Sequence, residues 1–137
     1  MATYTANAAQ GNIVPKGLRV GLVAVNGLWS FPASVSIGTT VQMVKVPQGA
    51  TSIYVSLLNT NAGQASMSVG DGLNNARYRT NGTTSAAMGA VPINSQYVPY
   101  TYSTDDTIDV FVSLVSISTV GGALYLTAIF SMDPEGR

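Results

Sequence analysis

Short apolar runs separated by turn-forming residues are the feature that most constrains this fold. Val, Ile, Thr and Tyr gather in brief segments, and Gly, Pro or Asn interrupts them about every ten residues. No window repeats apolar residues at the three-to-four spacing of an amphipathic helix. The pattern predicts about seven to nine strands in an all-β fold, an antiparallel β-sandwich of the jelly-roll kind or a barrel.

Period-two alternation predicts which side chains share a face of each strand. Ser52–Leu58 is predicted to place Ile53 on the same face as the apolar residues that follow it at even spacing. Thr107–Ser118 is predicted to turn its alternate apolar residues inward and Asp109 outward. A phase slip after Leu114 predicts a β-bulge in that strand.

Glycine-containing pairs predict several of the turns. Asn26–Gly27 is typical of a type I′ turn because both residues tolerate positive φ, and Asn81–Gly82 is read in the same way. Gly121–Gly122 predicts a hairpin that joins the last two strands. Pro47–Ala50 predicts a further turn, and Pro32 confines any strand beside it to a sheet edge.

The N-terminal segment differs from the rest of the chain. Residues 1–12 are small and polar without any period, so we expect an extended N-terminal arm, followed by a single β-sandwich domain over residues 13–137. No basic and apolar leader is present, which predicts synthesis in a cytoplasm. The most apolar run, Val110–Val120, contains Ser and Thr and is shorter than the ~20 residues a membrane helix needs, so no membrane partner is expected.

Composition excludes several classes of function. The chain has no Cys and no His, which excludes disulfides, thiolate metal sites and the commonest general base. Lys plus Arg and Asp plus Glu both number 6, so an excess of positive charge for nucleic-acid binding is missing. Charged residues make up only 9% of the chain, which favours association with other proteins. No cofactor is expected.

Two arginines form the densest positive spot in the sequence. Arg77 and Arg79 are predicted to share one face of a short strand, Ala76–Thr80, with Tyr78 on the other face. They are either solvated or paired within the chain, or they contact an acidic patch on a partner protein through planar, multi-donor hydrogen bonds.

A stretch of tyrosines and prolines offers a second candidate surface. Tyr97, Tyr100 and Tyr102 lie close to Pro99, and such residues either pack over a sandwich edge or line an interface or sugar-binding groove. Tyr4, in the expected arm, joins these and the two arginines as a candidate partner-binding residue.

The acidic residues give little support for catalysis. Asp105, Asp106 and Asp109 are close enough in sequence to bind a cation or act as an acid/base pair, but Asp is also a common turn residue. Gly70–Gly72 is read as a tight turn rather than a cation loop. Without a His to activate a Ser, we expect no enzyme and no catalytic or metal-binding residue.

Four segments together carry a family resemblance: the Pro47–Ala50 turn leading into Ser52–Leu58, then Ser68–Gly72, Tyr100–Phe111 and the closing Gly121–Met132. In this pattern of strands and turns, and in being a small chain with no Cys and no net charge, the protein resembles the head decoration (cement) proteins of tailed bacteriophages. The resemblance implies a jelly-roll-like β-sandwich on the virion surface. It also implies dimers or trimers that bridge major capsid proteins and have no enzymatic role.

Other functions stay open at this point. The tyrosine stretch is compatible with a jelly-roll carbohydrate-binding or receptor-binding module. The chain is equally compatible with another virion part, such as a neck, tail or fibre protein. A His-free enzyme built on the aspartates is the remaining alternative.

Overall fold

Strands account for the regular structure of the described residues. The structure, a computed structural model, describes residues 3–6, 21–32, 35–61, 64–84, 91–92, 99–116 and 121–132. Within these ranges it forms ten β-strands. They are β1 (Thr3–Thr5), β2 (Gly21–Ser30), β3 (Thr40–Val46), β4 (Ala50–Asn59), β5 (Gln64–Asp71), β6 (Arg79–Thr84), β7 (Val91–Pro92), β8 (Tyr100–Thr101), β9 (Asp106–Ser116) and β10 (Ala123–Met132).

The strands form two sheets. Sheet I has the order β1-β3-β9-β5-β6, and sheet II has the order β2-β10-β4-β7, with β8 also paired to β4. Every pairing is antiparallel except that of β1 with β3. Without β1 and the two-residue β8, the strands are distributed between two four-stranded sheets as in a jelly roll, which confirms the predicted fold class. In the ranges given above, no helix has the length and apolar character needed to span a membrane.

The core lies between the inner faces of the two sheets. Alternate residues of β9 are fully buried there, which confirms the predicted inward direction of Ile108, Val110 and Val112. Phe130 of β10 and Met43 of β3 are among the largest fully buried side chains. Removing such apolar surface from water, about 25 cal/mol per Å², is the main force holding the sheets together.

Bulges change the faces that simple alternation predicts. In β4 the register against β10 shifts where Ile129 opposes Tyr54 and Phe130 opposes Ser52, so Ile53 is the extra residue. Ile53 is exposed, and its predicted position on the face of the buried apolar residues is wrong. In β9 the register against β5 shifts at Ser113, which confirms a bulge beside the predicted phase slip.

Asn26–Gly27 is not a turn. Both residues lie in the middle of β2, where they pair with β10 across an unbroken register. A Cβ on Gly27 would lie 2.4 Å from the Met43 carbonyl oxygen. Gly27 therefore permits a close approach of β2 to β3, a second use of glycine that sequence alone does not distinguish from a turn.

Two further turn predictions are wrong, and a third is confirmed. Asn81–Gly82 lies inside β6. Gly121–Gly122 has positive φ, but the strands on either side of it, β9 and β10, belong to different sheets, so the predicted hairpin is wrong. The Pro47–Ala50 turn is confirmed by the hydrogen bond from the Ala50 amide to the Pro47 carbonyl, 3.2 Å, and by the positive φ of Gly49.

Part of the expected arm lies on the sandwich. Thr3–Thr5 pairs with β3, and the Ala6 amide donates to the Gln42 carbonyl at 2.7 Å. Tyr4 packs on Trp29 with ring centroids 5.2 Å apart, which links edge strands of the two sheets. Residues 7–12 lie outside the described ranges, and the division into arm and domain stays a prediction.

Candidate interaction site

Asp71, the last residue of β5, organises the loop over residues 71–78, hereafter the 71–78 loop. Its Oδ1 accepts hydrogen bonds from the Leu73 and Asn74 amides at 3.1 and 2.9 Å, and its Oδ2 accepts one from Nε of Arg77. The loop folds tightly onto the strand because Gly70 has no side chain: a Cβ there would lie 2.1 Å from the Asn74 carbonyl oxygen.

Arg77 is enclosed between an anion and an aromatic ring. Its Nη2 lies 3.4 Å from Oδ1 of Asp71, and its Cζ lies 3.6 Å from the ring centroid of Tyr100. Burial acts to lower the pKa of Arg77, but the hydrogen bond and charge of Asp71 outweigh it and leave that pKa raised. Arg77 is thus an internally paired, rigidly held cation.

A buried chain of hydrogen-bonded hydroxyl groups lies next to Arg77 and Tyr100. The Tyr78 hydroxyl lies 2.8 Å from Oγ of Ser52 and 2.6 Å from the Tyr102 hydroxyl. Tyr102 packs edge-on against Tyr100, with ring centroids 4.9 Å apart. Burial raises the pKa of both Tyr78 and Tyr102, which stay neutral. Tyr102 is therefore an interior residue, and Tyr100 is the tyrosine nearer the surface.

Arg79 occupies a different setting from Arg77. It begins β6, whereas Arg77 precedes that strand, so the predicted strand Ala76–Thr80 with both arginines on one face is wrong. A Cβ on Gly82 would lie 1.8 Å from Nε of Arg79, so Gly82 makes room for the arginine side chain. Burial lowers the pKa of Arg79.

The structure brings together only some of the predicted partner-binding residues. Arg77, Tyr100 and Tyr102 form one cluster. Tyr4 belongs to a separate aromatic stack that continues from Trp29 to Phe31. Tyr97 lies outside the described residues. Their role in binding a partner stays a prediction.

Two of the three clustered aspartates serve as backbone acceptors. Oδ1 of Asp105 accepts from the Gln48 amide at 2.8 Å. Oδ1 of Asp106 accepts from the Thr107 amide at 2.8 Å and the Gly72 amide at 3.3 Å. Among the described residues no group of three or more His, Cys, Asp or Glu is arranged to hold a metal ion. These carboxylates instead fix the loops at this end of the sandwich.

Asp109 is buried, so its predicted outward exposure is wrong. It lies opposite Gln42 of β3 and Gly70 of β5, where a central strand is covered by its neighbours. Asp109 is only 7% exposed, and its Oδ1 has no hydrogen-bond partner within the described residues. Burial is the main cause that raises the pKa of Asp109 to about 6, and the charges of Asp106 and Asp71 add to it.

Asp109→Asn is expected to stabilise the protein increasingly as pH rises. Because the folded pKa is raised, folding favours the protonated carboxyl, and its contribution to stability is lost as pH rises through about 6. The difference in free energy of unfolding between variant and wild type should grow by about 1–2 kcal/mol from about pH 4 to about pH 7. Urea unfolding at both pH values measures it, and a constant difference contradicts the raised pKa.

Charge is segregated between the two sheets. In the described part of the chain, every charged residue lies on sheet I or in a loop next to its strands. These residues are Lys45, Asp71, Arg77, Arg79, Asp105, Asp106 and Asp109. The outward positions of β2, β10 and β4 on sheet II form an uncharged surface, hereafter the neutral face. Its apolar members are Leu22, Ala24, Leu28, Ile53, Tyr54, Leu58, Tyr125 and Ile129.

Sequence reasoning missed two parts of this arrangement. The sequence Gly70–Gly72 predicts only a tight turn at Asp71, although Asp71 accepts hydrogen bonds from the amides that follow it and is paired with Arg77, six residues further on. The neutral face was also missed, because it needs the pairing of distant strands. The available signal was that β2, β4 and β10 contain no charged residue.

Comparison with solved structures places this jelly roll among chains found in phage capsids. A chain of the cyanophage Pam1 capsid asymmetric unit matches with a TM-score of 0.69 at 16% identity, over 92% of this chain and 96% of that one. A chain of the capsid of Ralstonia phage GP4 matches with a TM-score of 0.71 at 15% identity, over 95% of this chain and 97% of that one.

A third similar chain comes from the acidic stable capsid structure of Helicobacter pylori bacteriophage KHP30. Its TM-score is 0.58 at 15% identity, over 85% of this chain and 91% of that one. No protein family matches the chain in sequence, and no curated protein matches it. The predicted resemblance to phage capsid-associated proteins is thus confirmed at the level of the fold.

Proposed function

We propose that the protein is a structural component of a phage virion, a decoration (cement) protein that binds the outside of the major capsid protein shell and stabilises it. The observation that carries this proposal is the match with chains of phage capsids along almost their whole length. The alignments cover 91% of the KHP30 chain and 97% of the GP4 chain, so each neighbour is a small jelly roll much like this one.

Charge supports a position on the outside of the shell. With a net charge of zero the protein lacks the cationic surface that contact with packaged nucleic acid favours. A protein that binds only the assembled shell stabilises it by mass action, and one that crosses a boundary between subunits resists their separation. In this proposal the protein is made in the host cytoplasm, forms a homo-oligomer and has no catalytic role.

The 71–78 loop is the surface we assign to the shell contact. Leu73 is 78% exposed at this loop, and the hydrogen bond from its own amide to Asp71 holds it in place. Arg77 and Tyr100 lie beside the same carboxylate and stiffen the surface. Because that hydrogen bond already fixes the Leu73 backbone, less backbone entropy is lost when this residue binds a partner.

The tyrosines support a sugar-binding module less well. Tyr102 is buried, and the Arg77 guanidinium lies over the Tyr100 ring at 3.6 Å. A sugar stacking on that ring face would have to displace Arg77 from Asp71. Geometry therefore favours a protein contact over a glycan site.

Copy number in purified particles tests the proposed function directly. Quantitative mass spectrometry should give this protein as a simple, sizeable fraction of the major shell protein. A few copies per particle would assign it to the neck, tail or fibres instead. Complete absence would remove the virion role and restore the glycan-binding alternative.

Adding the protein back to particles that lack it tests the contact surface. Leu73→Asp is expected to weaken binding at least about tenfold, because a charge replaces an exposed apolar anchor. Ile37→Asp, at another exposed apolar position, is the matched control and should bind as the wild type does. Equal binding of both variants would exclude the 71–78 loop from the contact.

A further inference from the structure

The neutral face is continuous across three strands. Leu28 of β2 lies opposite Tyr125 of β10, which lies opposite Leu58 of β4. Further along β10, Ile129 lies opposite Tyr54. Tyr54 and Tyr125 are 43% and 42% exposed, so large apolar groups reach solvent on a sheet face that carries no charge.

The neutral face is large enough for a specific interface. Strands β2, β4 and β10 each have ten residues, so the face is about 33 Å long and, over three strands, about 14 Å wide. Its area is therefore about 450–500 Å². Two such faces bury roughly 1,000 Å², which is about the minimum size of a specific interface.

We propose that the neutral face packs against the same face of a second copy of this protein and forms a two-fold dimer. In a two-fold interface one patch meets its own copy, so a charged patch would bring like charges together. A face of Leu, Ile, Tyr, Ala, Asn, Ser and Thr has no such repulsion. Interfaces between identical subunits are also more apolar than other protein surfaces, as this face is.

The geometry favours a dimer over a trimer. In a ring of three, each copy presents two different surfaces to its neighbours, whereas a two-fold pair needs only one. A flat sheet face is suited to packing against one other sheet, at about 10 Å between sheets. The charged end with the 71–78 loop then stays accessible for a different partner.

This inference rests on the homo-oligomer part of the proposed function and deepens it by naming the surface. It is tested on the purified protein alone, so its outcome is independent of whether the protein binds particles. Failure of the dimer leaves the copy-number test of capsid decoration unchanged, and the reverse also holds.

Light scattering coupled to size-exclusion chromatography tests the dimer. The wild type is expected at twice its chain mass of 14.2 kDa. Tyr125→Lys and Leu28→Lys should each give the mass of a single chain at the same concentration, because each places a cation without a partner charge in an apolar interface. Ile37→Lys, an exposed apolar position outside the neutral face, should remain a dimer. Circular dichroism and thermal unfolding verify that all variants are folded.

Two results would overturn the inference. One is a monomeric wild type at about 100 μM, a concentration at which we expect the dimer to predominate. If the Tyr125→Lys variant of such a monomer also lost particle binding, the neutral face would be a contact with the shell. The other is a dimer that survives both Tyr125→Lys and Leu28→Lys, which would place the interface elsewhere.

Discussion

Asp71→Asn is expected to lower the free energy of unfolding by about 3 kcal/mol, the range found when one partner of a buried ion pair is removed. The carboxylate accepts from two loop amides and from Arg77, and an amide in its place cannot neutralise the guanidinium. The chain would keep a partly buried cation against Tyr100 without its anion. Urea unfolding should show the loss, and hydrogen exchange should quicken at the Leu73 and Asn74 amides.

Asp105→Asn is the matched control for this change. Asp105 is exposed and accepts one backbone hydrogen bond, from Gln48, so its replacement should cost less than about 1 kcal/mol. Similar losses in the two variants would mean that the 71–78 loop does not depend on the buried carboxylate. Combining Asp71→Asn with Arg77→Ala should recover part of the loss, because the second change removes the uncompensated charge.

Gly27→Ala is expected to destabilise the protein by about 3 kcal/mol, the upper part of the range for overpacked cores. The added Cβ would lie 2.4 Å from the Met43 carbonyl oxygen and 3.2 Å from Cγ1 of Val44. Met43 is the extra residue of a bulge in β3, but its neighbours Gln42 and Val44 are paired to β9 and restrict its carbonyl, so β2 and β3 would have to separate. Thermal unfolding should show a melting temperature lower by about 10 °C.

Asn26→Ala, one residue away, separates this steric effect from a general weakening of β2. Asn26 faces solvent and accepts a hydrogen bond from the Thr127 hydroxyl at 2.8 Å, so its loss should cost about 1 kcal/mol or less. If Gly27→Ala proved no worse than Asn26→Ala, the close approach of the two strands would not be a constraint on the fold.

Sequence predicted the strands wherever alternation continued without interruption. Ile108, Val110 and Val112 are buried as their spacing predicts, and the Pro47–Ala50 turn is confirmed. The prediction fails at Ile53, because a bulge inserts one residue and reverses the faces from that point. An extra residue in a ladder is visible only when the partner strand is known.

The candidate site was harder to predict because burial depends on distant pairing. Asp109 looks like a solvent-facing residue in its own strand, yet β3 and β5 on either side leave it covered. Tyr102 looks like an interface tyrosine, yet its hydroxyl meets Tyr78, which lies 24 residues earlier in the chain. Local sequence shows the residue types of a site, but it does not show the neighbours that give them their chemistry.

The order of the sheets has a consequence for synthesis. The strand between β3 and β5 in sheet I is β9, and the strand between β2 and β4 in sheet II is β10, so both central strands are made after the strands they join. Sheet I cannot close until Ser116, the end of β9, has left the ribosome, and sheet II cannot close until Met132 has done so. The earlier strands emerge without their partners, and such long-range pairing is slow, so unpaired strand edges prone to aggregation stay exposed on the nascent chain until β9 and β10 have emerged.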